Sequence, residues 1–341
     1  MEQFKTQKRK RKGRVTMTTV GRMAGVSQVT VSRALSEPDK VSPETLKRIQ
    51  DTIEQTGFVP NAIAGALASQ RSNLVTALVP SLTNIVYSSF MKTFNDSMKE
   101  ANYQILLSET GFNPADEQEA IAAHLSRRPD AVLLTGIHHS SQTRRILLGA
   151  DIPVVEVWDI TDSPIDMCVG FSHVEAGRSV ADYVHNKGYE TAATVTANDE
   201  RAHRRRDAFT SRLKSIGASP VIAHDCVGPA SIESGRNALS DLVDRQGFRG
   251  GVVFCSSDVL AHGVIIEAQA RKIRMPDQMA IIGFGDQEFA AHLEPALTTV
   301  RVDRERLGEE AAEAILARMR DEPIARTVID IGFQLMVRAS A

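Results

Sequence analysis

Short apolar runs alternate with longer helical segments from Asn73 onward, and this alternation restricts the fold more than any other feature. The sequence predicts strands at 74–80, 103–107, 131–134, 154–157, 169–171, 191–195, 221–222, 251–254, 280–284 and 327–337. Helices are predicted between them at 85–101, 114–127, 141–149, 173–187, 202–216, 231–245, 258–271 and 304–320. Strands that alternate with helices form parallel sheets covered on both faces. Because these units are too many for one sheet of normal size, we predict an α/β core of two doubly wound parallel-sheet lobes.

A different pattern precedes this core, in residues 18–35. Gly25 is placed to make a sharp turn after a short helix, because glycine adopts a left-handed conformation without a steric cost. Ser27 is placed to cap a second helix. Three apolar residues of that helix can face inward: Val29, Val31 and Leu35. The polar residues left on or near its exposed side are Gln28, Thr30, Ser32 and Arg33. Such side chains suit the DNA major groove, so the pattern predicts a helix-turn-helix.

A third helix and a short alanine-rich segment follow the helix-turn-helix. Ser42 is a candidate N-cap before Pro43, and an apolar stripe runs through Leu46, Ile49 and Ile53. The segment 61–69 begins with Asn61 as a cap and contains Gly65, so it is a marginal helix that orders only when held. Leu67 can then act as an apolar wedge in the DNA minor groove. The alternative is an ordinary linker.

The charges are distributed unevenly along the chain. Residues 1–71 hold 13 Lys+Arg and 6 Asp+Glu, a net charge of 13 − 6 = +7. The remainder holds 40 − 13 = 27 basic and 42 − 6 = 36 acidic residues, a net charge of −9. This distribution is expected if only the N-terminal part meets a polyanion. Residues 8–12 are five consecutive basic residues, which predicts a disordered arm at 1–14 that attracts phosphates or, alternatively, a solvated tail without a role.

The composition indicates a cytoplasmic protein without cofactor, metal or membrane partner. No apolar run reaches the roughly 20 residues that span a bilayer, and no apolar segment of a signal peptide follows the basic start. The three cysteines, Cys168, Cys226 and Cys255, are widely spaced, which excludes a disulfide framework and a zinc motif. The sequence lacks the glycine-rich, phosphate-loop and nucleophile-elbow motifs of common enzymes, so we predict no catalytic residues. The adjacent pair His138-His139 points in different directions and does not suit a shared metal.

Polar residues follow several predicted strands, where open α/β sheets bind their ligands. These strand-end loops contain Ser81, Thr83 and Asn84, then Trp158 and Asp159, then Ser256, Ser257 and Asp258, and finally Gly285 and Asp286. The segment 201–206 adds four arginines beside a helix start, and an arginine there can clamp a carboxylate. Two assignments stay open. Trp158 either stacks on a sugar or covers the core, and Glu156 is either a ligand contact or a salt-bridged structural acid.

Several of these motifs together resemble the lactose/galactose-repressor family of bacterial transcriptional regulators. The resemblance is carried by residues 15–35, by Val-Ser-Pro-Glu-Thr at 41–45, by Gly-Phe-Val-Pro-Asn at 57–61, and by the segment up to Leu67. Within the family, residues 79–84, 152–156 and 169–171 look most like gluconate-utilisation repressors. The resemblance implies a homodimer on a palindromic operator. It also implies a periplasmic-binding-protein-like core whose lobes are joined by crossovers near 171, 300 and 325, with an effector in the cleft that releases the DNA.

The resemblance also assigns site residues. It places Gln28, Val29, Ser32 and Arg33 in the major groove and Ala64 and Leu67 in the minor groove. The full set of predicted DNA contacts is Thr16, Gln28, Val29, Thr30, Ser32, Arg33, Asn61, Ala64 and Leu67. The predicted effector contacts are Ser81, Thr83, Asn84, Tyr87, Trp158, Asp159, Arg205, Ser257, Asp258 and Asp286.

Two departures from the family bear on the effector. Ser257 replaces a usual asparagine, and Gly285 stands where an aspartate often reads sugar hydroxyls, while Arg205 aligns with the family's cleft arginine. Loss of an acidic residue is compatible with an anionic effector. We therefore predict a sugar-acid effector, such as gluconate, 2-ketogluconate or 6-phosphogluconate.

The predicted domains are an arm at 1–14, a helix-turn-helix domain at 15–60, a hinge at 61–72 and the core at 73–341. Lobe one is predicted at 73–171 and 301–325, and lobe two at 172–300 and 326–341. The predicted function is a cytoplasmic repressor of sugar-acid metabolism genes. The alternative is a sugar-binding protein of the same core fold without a gene-regulatory role.

Overall fold

Two compact units, divided between Ser72 and Asn73, make up the chain. The computed structural model describes residues 15–61, 65–66, 71–111, 113–218 and 220–341. The predicted arm at 1–14 lies outside the described residues, as do Ala64 and Leu67 of the predicted hinge.

Three α-helices surround a small core in residues 15–61 of the first unit. They are α1 (Met17–Ala24), α2 (Gln28–Ser36) and α3 (Pro43–Thr56). Gly25 has a φ of 69°, which ends α1 in a left-handed turn. The Ser27 hydroxyl accepts a hydrogen bond from the Thr30 backbone N–H at 3.1 Å and so caps α2. The buried core of the unit consists of Val20, Ala24, Val31, Ala34, Ile49 and Phe58.

Two of the predicted inward positions on α2 are wrong. Val29 is 66% exposed and Leu35 is 40% exposed. Val29 stands about 200° around the helix from Val31, so the two cannot face the same core. Ala34, three residues after Val31, takes the second core position instead. Ser42 does stand at the N-cap position of α3, but its hydroxyl donates to that of Thr45 at 2.9 Å and makes no capping bond.

The segment after α3 is described only in part. Asn61 is exposed, and its carbonyl accepts a hydrogen bond from the Gly65 N–H at 3.2 Å. Gly65 and Ala66 are helical.

The second unit alternates strands and helices. Its strands are β1 (Leu74–Val79), β2 (Gln104–Glu109), β3 (Ala131–Thr135), β4 (Val154–Val157), β5 (Met167–Gly170), β6 (Ala192–Thr196), β7 (Ile222–Asp225), β8 (Gly251–Cys255), β9 (Met279–Phe284), β10 (Thr298–Arg301), β11 (Val328–Asp330) and β12 (Gln334–Met336). Its helices are α4 (Ile85–Glu100), α5 (Pro114–Leu125), α6 (Ser141–Ala150), α7 (His173–Asn186), α8 (Glu200–Ser215), α9 (Ile232–Asp244), α10 (Asp258–Ala270) and α11 (Arg304–Met319).

The strands form two six-stranded sheets, and each sheet is the centre of one lobe. Lobe one has the strand order β11-β5-β4-β3-β1-β2, and all its pairs are parallel. Lobe two has the order β12-β10-β9-β8-β6-β7, and only the edge strand β12 is antiparallel to its neighbour. The predicted architecture of two doubly wound parallel-sheet lobes is confirmed.

Each sheet is buried on both faces, as the continuous apolar strands require. In β1, Ala77 and Val79 pack against α4 and α11, whereas Leu78 points to the opposite face, towards α5 and α6. In lobe two, α7 and α8 cover one face and α9 and α10 cover the other. Among the described residues, no helix is both long and apolar enough to cross a membrane.

The chain passes between the lobes three times, at 171–172, 302–303 and 331–333. The predicted single strand at 327–337, the third crossover near 325 and the lobe boundary at 325/326 are therefore wrong. Residues 328–330 still pair with β5 of lobe one, and the chain turns at Gly332 (φ 69°) before β12 joins lobe two. No strand is predicted at 298–301, where β10 lies, because its sequence Thr-Thr-Val-Arg contains a single apolar residue and so shows no apolar run.

Candidate functional site

The exposed side of α2 carries most of the predicted DNA contacts of the first unit. Gln28, Val29, Ser32 and Arg33 are all exposed, whereas Thr30 is half-buried beside the capping residue Ser27. Since the buried residues of α2 face the core, its other side is turned away from the rest of the unit. An exposed helix face of this width and chemistry fits the major groove of DNA.

The remaining described DNA candidates lie at the ends of helices. The Thr16 hydroxyl accepts a hydrogen bond from the Thr19 N–H at 3.2 Å and caps α1. Asn61 is exposed after α3. One bond joins α1 to α2: the Thr18 hydroxyl donates to the side-chain oxygen of Gln28 at 2.9 Å.

A cavity of about 620 Å³ lies between the two lobes of the second unit, at the carboxyl ends of their strands. Seven predicted effector contacts line it: Ser81, Thr83, Asn84, Tyr87, Trp158, Arg205 and Ser257. Three others, Asp159, Asp258 and Asp286, are not among its lining residues. The cavity is large enough for a small sugar derivative.

Arg205 of α8 is a charged residue of this cavity that is buried and bonded on several sides. It is only 6% exposed, and its Nη1 lies 2.8 Å from Nδ1 of His173. Its Nη2 donates to the carbonyl of Ser256 at 3.0 Å, and its guanidinium carbon stands 4.0 Å from the centre of the Phe284 ring. Burial lowers the pKa of Arg205 to about 10, so the side chain is still charged at neutral pH.

His173 sets the orientation of Arg205. Its Nε2 lies 2.9 Å from the carbonyl of Trp158, which can only accept, so Nε2 carries the proton and Nδ1 accepts from Arg205. Burial, together with the charge of Arg205, lowers the pKa of His173 well below its usual value. His173 is therefore a neutral acceptor that does not cancel the charge of the arginine.

Two further arginines of the cavity join the lobes. Arg201 of α8, in lobe two, donates to the Tyr87 hydroxyl of lobe one at 2.7 Å. Arg304, at the start of α11 in lobe one, donates to the carbonyl of Gly285 in lobe two at 2.7 Å. With Arg205, these give three cations against one lining carboxylate, Asp199, which caps α8 through the Ala202 N–H. The cavity therefore favours a negatively charged ligand.

The two strand-end aspartates Asp159 and Asp286 have partners within the protein. Asp159 is buried and forms an ion pair with Arg204 across the two lobes. Asp286 is bound by Arg301 at 2.6 Å and by Arg338 at 2.7 Å. These contacts occupy the carboxylates that the strand-end pattern assigns to a ligand.

Asp258 is a buried structural acid at the start of α10. It accepts bonds from the Thr299 hydroxyl at 2.5 Å and from the Gln287 N–H at 2.7 Å. Burial raises its pKa to about 6. Gly283 makes room for it, since a Cβ there would lie 2.3 Å from an Asp258 carboxylate oxygen.

Trp158 has a place both in the core and at the cavity. It is 4% exposed, and its ring meets the rings of Tyr87 and Phe90 edge-on at 5.7 Å each, so it covers the core. It also lines the cavity. Among the described residues its buried indole N–H has no hydrogen-bond acceptor.

The histidine pair and Glu156 lie outside the cavity. Glu156 is fully buried, accepts a bond from the Ile165 N–H at 2.6 Å and contacts Nε2 of His139 at 3.3 Å, so it is a structural acid. His138 instead reaches Glu200 of lobe two at 3.2 Å. Within the described residues, no group of three or more histidine, cysteine or acidic side chains could hold a metal ion.

Seven polar residues that line the cavity are not among the predicted effector contacts: His173, Asn198, Asp199, Arg201, Ser256, Gln287 and Arg304. Arg201 belongs to the arginine-rich segment at 201–206, so a signal for it existed. His173 and Arg304 are the first residues of helices that follow crossovers, and no local pattern marks such positions as ligand contacts.

Comparisons with known proteins find similarity to each of the two units separately and to nearly the whole chain. Residues 16–61 match the family described as bacterial regulatory proteins, lacI family, and residues 181–341 match the periplasmic binding protein-like domain. The chain is 32% identical over 330 residues to the HTH-type transcriptional regulator GntR of Pseudomonas aeruginosa, a match that covers 96% of each chain. It is 31% identical over 329 residues to the regulator of the same name from Escherichia coli, covering 95% of this chain and 98% of that one.

A solved structure is also similar over nearly the full length. It is the crystal structure of a lacI-family transcriptional regulator from Silicibacter pomeroyi, with a TM-score of 0.90 and 32% identity. The match covers 96% of this chain and 99% of that one.

Proposed function

Since this chain belongs to the lacI family of bacterial regulatory proteins and is a DNA-binding transcriptional regulator, we propose that it is a repressor whose effector is a sugar acid. Gluconate, 2-ketogluconate and 6-phosphogluconate are the candidate effectors. The effector occupies the cavity between the lobes, and its binding releases the operator. The genes under control are then those of sugar-acid metabolism.

The charge of the cavity is the observation that carries this proposal. Arg201, Arg205 and Arg304 line it together, while the predicted acidic contacts Asp159 and Asp286 are neutralised by arginines elsewhere. A neutral sugar usually needs carboxylates that accept from its hydroxyl groups, whereas a sugar acid needs a donor fork for its carboxylate. Gly285 lines the cavity without a side chain, which fits the same choice.

Contacts between the two lobes hold them in one arrangement, and the effector can shift this arrangement by competing with those contacts. Arg201 to Tyr87, Arg204 to Asp159 and His138 to Glu200 all join lobe two to lobe one around the cavity. A ligand carboxylate that takes hydrogen bonds from Arg201 competes with its bond to Tyr87 and so favours a different lobe arrangement. By linkage, operator DNA must weaken effector binding by the same factor by which effector weakens DNA binding.

The DNA-binding part of the proposal rests on α2. Its exposed residues Gln28, Val29, Ser32 and Arg33 read base edges in the major groove, and a homodimer presents two such helices to a palindromic operator. Ala64 and Leu67 contact the minor groove, and Asn61 makes a further contact with the DNA.

Calorimetric titration of the full-length protein tests the effector class. We expect binding heat with at least one of gluconate, 2-ketogluconate and 6-phosphogluconate, and none with glucose or galactose. Heat with neutral sugars only would refute the sugar-acid proposal. The same acid should release a selected operator duplex in a gel-shift assay, and operator-bound protein should bind the acid more weakly by an equal factor.

A further inference from the structure

The ion pair between Asp159 and Arg204 joins the two lobes outside the effector cavity. Asp159 lies two residues after β4 of lobe one, and Arg204 belongs to α8 of lobe two. The guanidinium binds both carboxylate oxygens, since Nη1 donates to Oδ1 at 3.3 Å and Nη2 donates to Oδ2. Neither residue lines the cavity that contains Arg205. A ligand in that cavity can therefore act on the pair only through the arrangement of the lobes.

Lobe one holds the backbone of Asp159 in place, so the carboxylate cannot follow Arg204 if the lobes move apart. The preceding residue, Trp158, has a φ of 74°, and its N–H donates to the carbonyl of Val169 in β5 at 3.1 Å. Gly170 packs so closely that a Cβ there would lie 2.3 Å from the backbone nitrogen and oxygen of Asp159. The carboxylate is therefore attached to a fixed point of lobe one.

A separation of the lobes would leave the Asp159 carboxylate without a cation. Asp159 is only 1% exposed, and among the described residues Arg204 is the one basic side chain that forms an ion pair with it. Asp159 also accepts a hydrogen bond from the Ile160 N–H at 2.9 Å, but this donor is neutral. Taking one partner from a buried ion pair is costly, because the remaining charge is left uncompensated. The pair therefore favours the lobe arrangement in which it forms.

Arg204 has a second contact, at the lobe two end of the pair. Its Nε lies 2.6 Å from Oε1 of Glu200, one turn earlier in α8. Glu200 also contacts Nε2 of His138 in lobe one at 3.2 Å. Because the side chains of Glu200 and His138 are exposed, their contact adds less to the preference for this arrangement than the buried carboxylate does.

We propose that the Asp159–Arg204 pair is a latch that holds the lobes in their operator-binding arrangement and so sets the effector concentration at which DNA is released. The inference rests on the proposed function, in which the effector favours a different arrangement of the lobes. The latch acts through the equilibrium between two arrangements and not by contact with either ligand. Its removal should therefore strengthen effector binding and weaken operator binding, whereas the loss of a ligand contact weakens binding of that ligand.

Arg204→Met tests the latch in the full-length protein, because methionine keeps an apolar stem and lacks the guanidinium. Calorimetry measures the dissociation constant of the sugar acid that binds the wild type, and a gel-shift assay measures that of a selected operator duplex. Loss of a charge-assisted hydrogen bond should change the ratio of the two arrangements by about tenfold. If this ratio falls from about 10 to about 1, the effector constant falls roughly fivefold and the operator constant rises roughly twofold.

Three further variants control for other effects of the substitution. Arg206→Met removes the neighbouring guanidinium of α8, which pairs with Asp225 within lobe two, and should leave both constants unchanged. Asp159→Asn removes the lobe one partner and should reproduce the changes of Arg204→Met, which should have no further effect in that background. Arg204→Lys keeps the charge and should lie between the wild type and Arg204→Met. Melting temperatures of all variants verify that they are folded.

The outcomes distinguish failure of the latch from failure of the proposed function. Tighter effector binding with weaker operator binding in Arg204→Met supports the latch. Any other combination in that variant, such as unchanged constants or weaker binding of both ligands, would overturn the latch alone. A wild-type protein that binds none of the sugar acids, or that binds one without releasing the operator, would overturn the proposed function and the latch together.

Discussion

Replacing Arg205 with lysine should weaken effector binding strongly while leaving the positive charge in place. An arginine has five N–H donors, and Arg205 uses two of them on His173 and Ser256, which leaves three that can serve a ligand. A lysine ammonium has three donors on one nitrogen and lacks the planar fork. It cannot bind His173, the Ser256 carbonyl and both oxygens of a carboxylate together.

The size of the effect follows from the bonds that are lost. Lysine retains the charge, so the loss is taken as one charge-assisted hydrogen bond to the ligand carboxylate. Such a bond contributes about 1.5–3 kcal/mol. The dissociation constant for the sugar acid should therefore rise roughly 10- to 100-fold.

Calorimetric titration of the full-length protein with the sugar acid that binds the wild type measures this change. Arg206→Lys is the matched control, because Arg206 follows in the same helix but pairs with Asp225 at 2.6 Å at the surface. Arg206→Lys should bind like the wild type. Wild-type affinity in Arg205→Lys, or an equal loss in both variants, would refute the assignment of Arg205 as the carboxylate-binding residue.

Three further predictions concern the arm, the hinge and a buried histidine. Residues 1–14 carry 7 Lys+Arg and 1 Asp+Glu, a net charge of 7 − 1 = +6. Deleting them should therefore reduce the slope of log K for operator binding against log salt concentration by up to about 5 per protomer. An unchanged slope in gel-shift titrations would show that the arm does not contact phosphates. Leu67→Ala should weaken operator binding by roughly tenfold, because the apolar wedge in the minor groove is lost. Calorimetry should show the wild-type affinity for the effector. An unchanged operator affinity would refute the role of Leu67 as a wedge. Burial opposes the charge of His139, but hydrogen bonds to Glu117 and Glu156 outweigh it and raise the pKa to about 9 from 6.5. Because the folded-state pKa is the higher one, this stabilisation is present below pH 6.5 and is lost as the pH rises towards 9. The difference in unfolding free energy between wild type and His139→Gln should therefore shrink over this range by up to about 3 kcal/mol in urea titrations; a constant difference would contradict a charged His139.

The repeating part of the fold follows from local patterns. Apolar runs such as 74–79 and 251–255 form central strands because they are buried on both faces of a sheet, and this requirement is visible in the sequence. The turn at Gly25 is equally local, since its φ of 69° depends on one residue. The edge strands are harder to predict from local sequence. Residues 328–330 and 334–336 lie in one apolar stretch, and only pairing with β5 and β10, far away in the chain, assigns them to different sheets.

The candidate site likewise contains some residues that local patterns predict and others that depend on tertiary contacts. Strand ends indicate where a ligand binds, and Ser81, Asn84 and Trp158 accordingly line the cavity. The pattern cannot tell whether a carboxylate at a strand end faces the ligand or an arginine. Asp286 is bound by Arg338, which is 52 residues away in the chain, so its role depends on tertiary contacts. The family resemblance identifies Arg205, whereas the position of His173, the acceptor that orients it, depends on the packing of α7 against α8.

The crossovers at 302–303 and 331–333 bear on how the protein is made. Lobe one begins at Asn73, but α11 and β11 follow 173–301, which supplies every strand of lobe two except β12. Leu307, Ala311 and Ile315 of α11 belong to the lobe one core beside Phe90 and Phe94. A chain growing on the ribosome therefore exposes this half-built core until most of lobe two has been synthesised. Lobe one starts first but receives α11 and β11 only near the end of the chain, so its unfinished face stays open to aggregation or to a chaperone for most of synthesis.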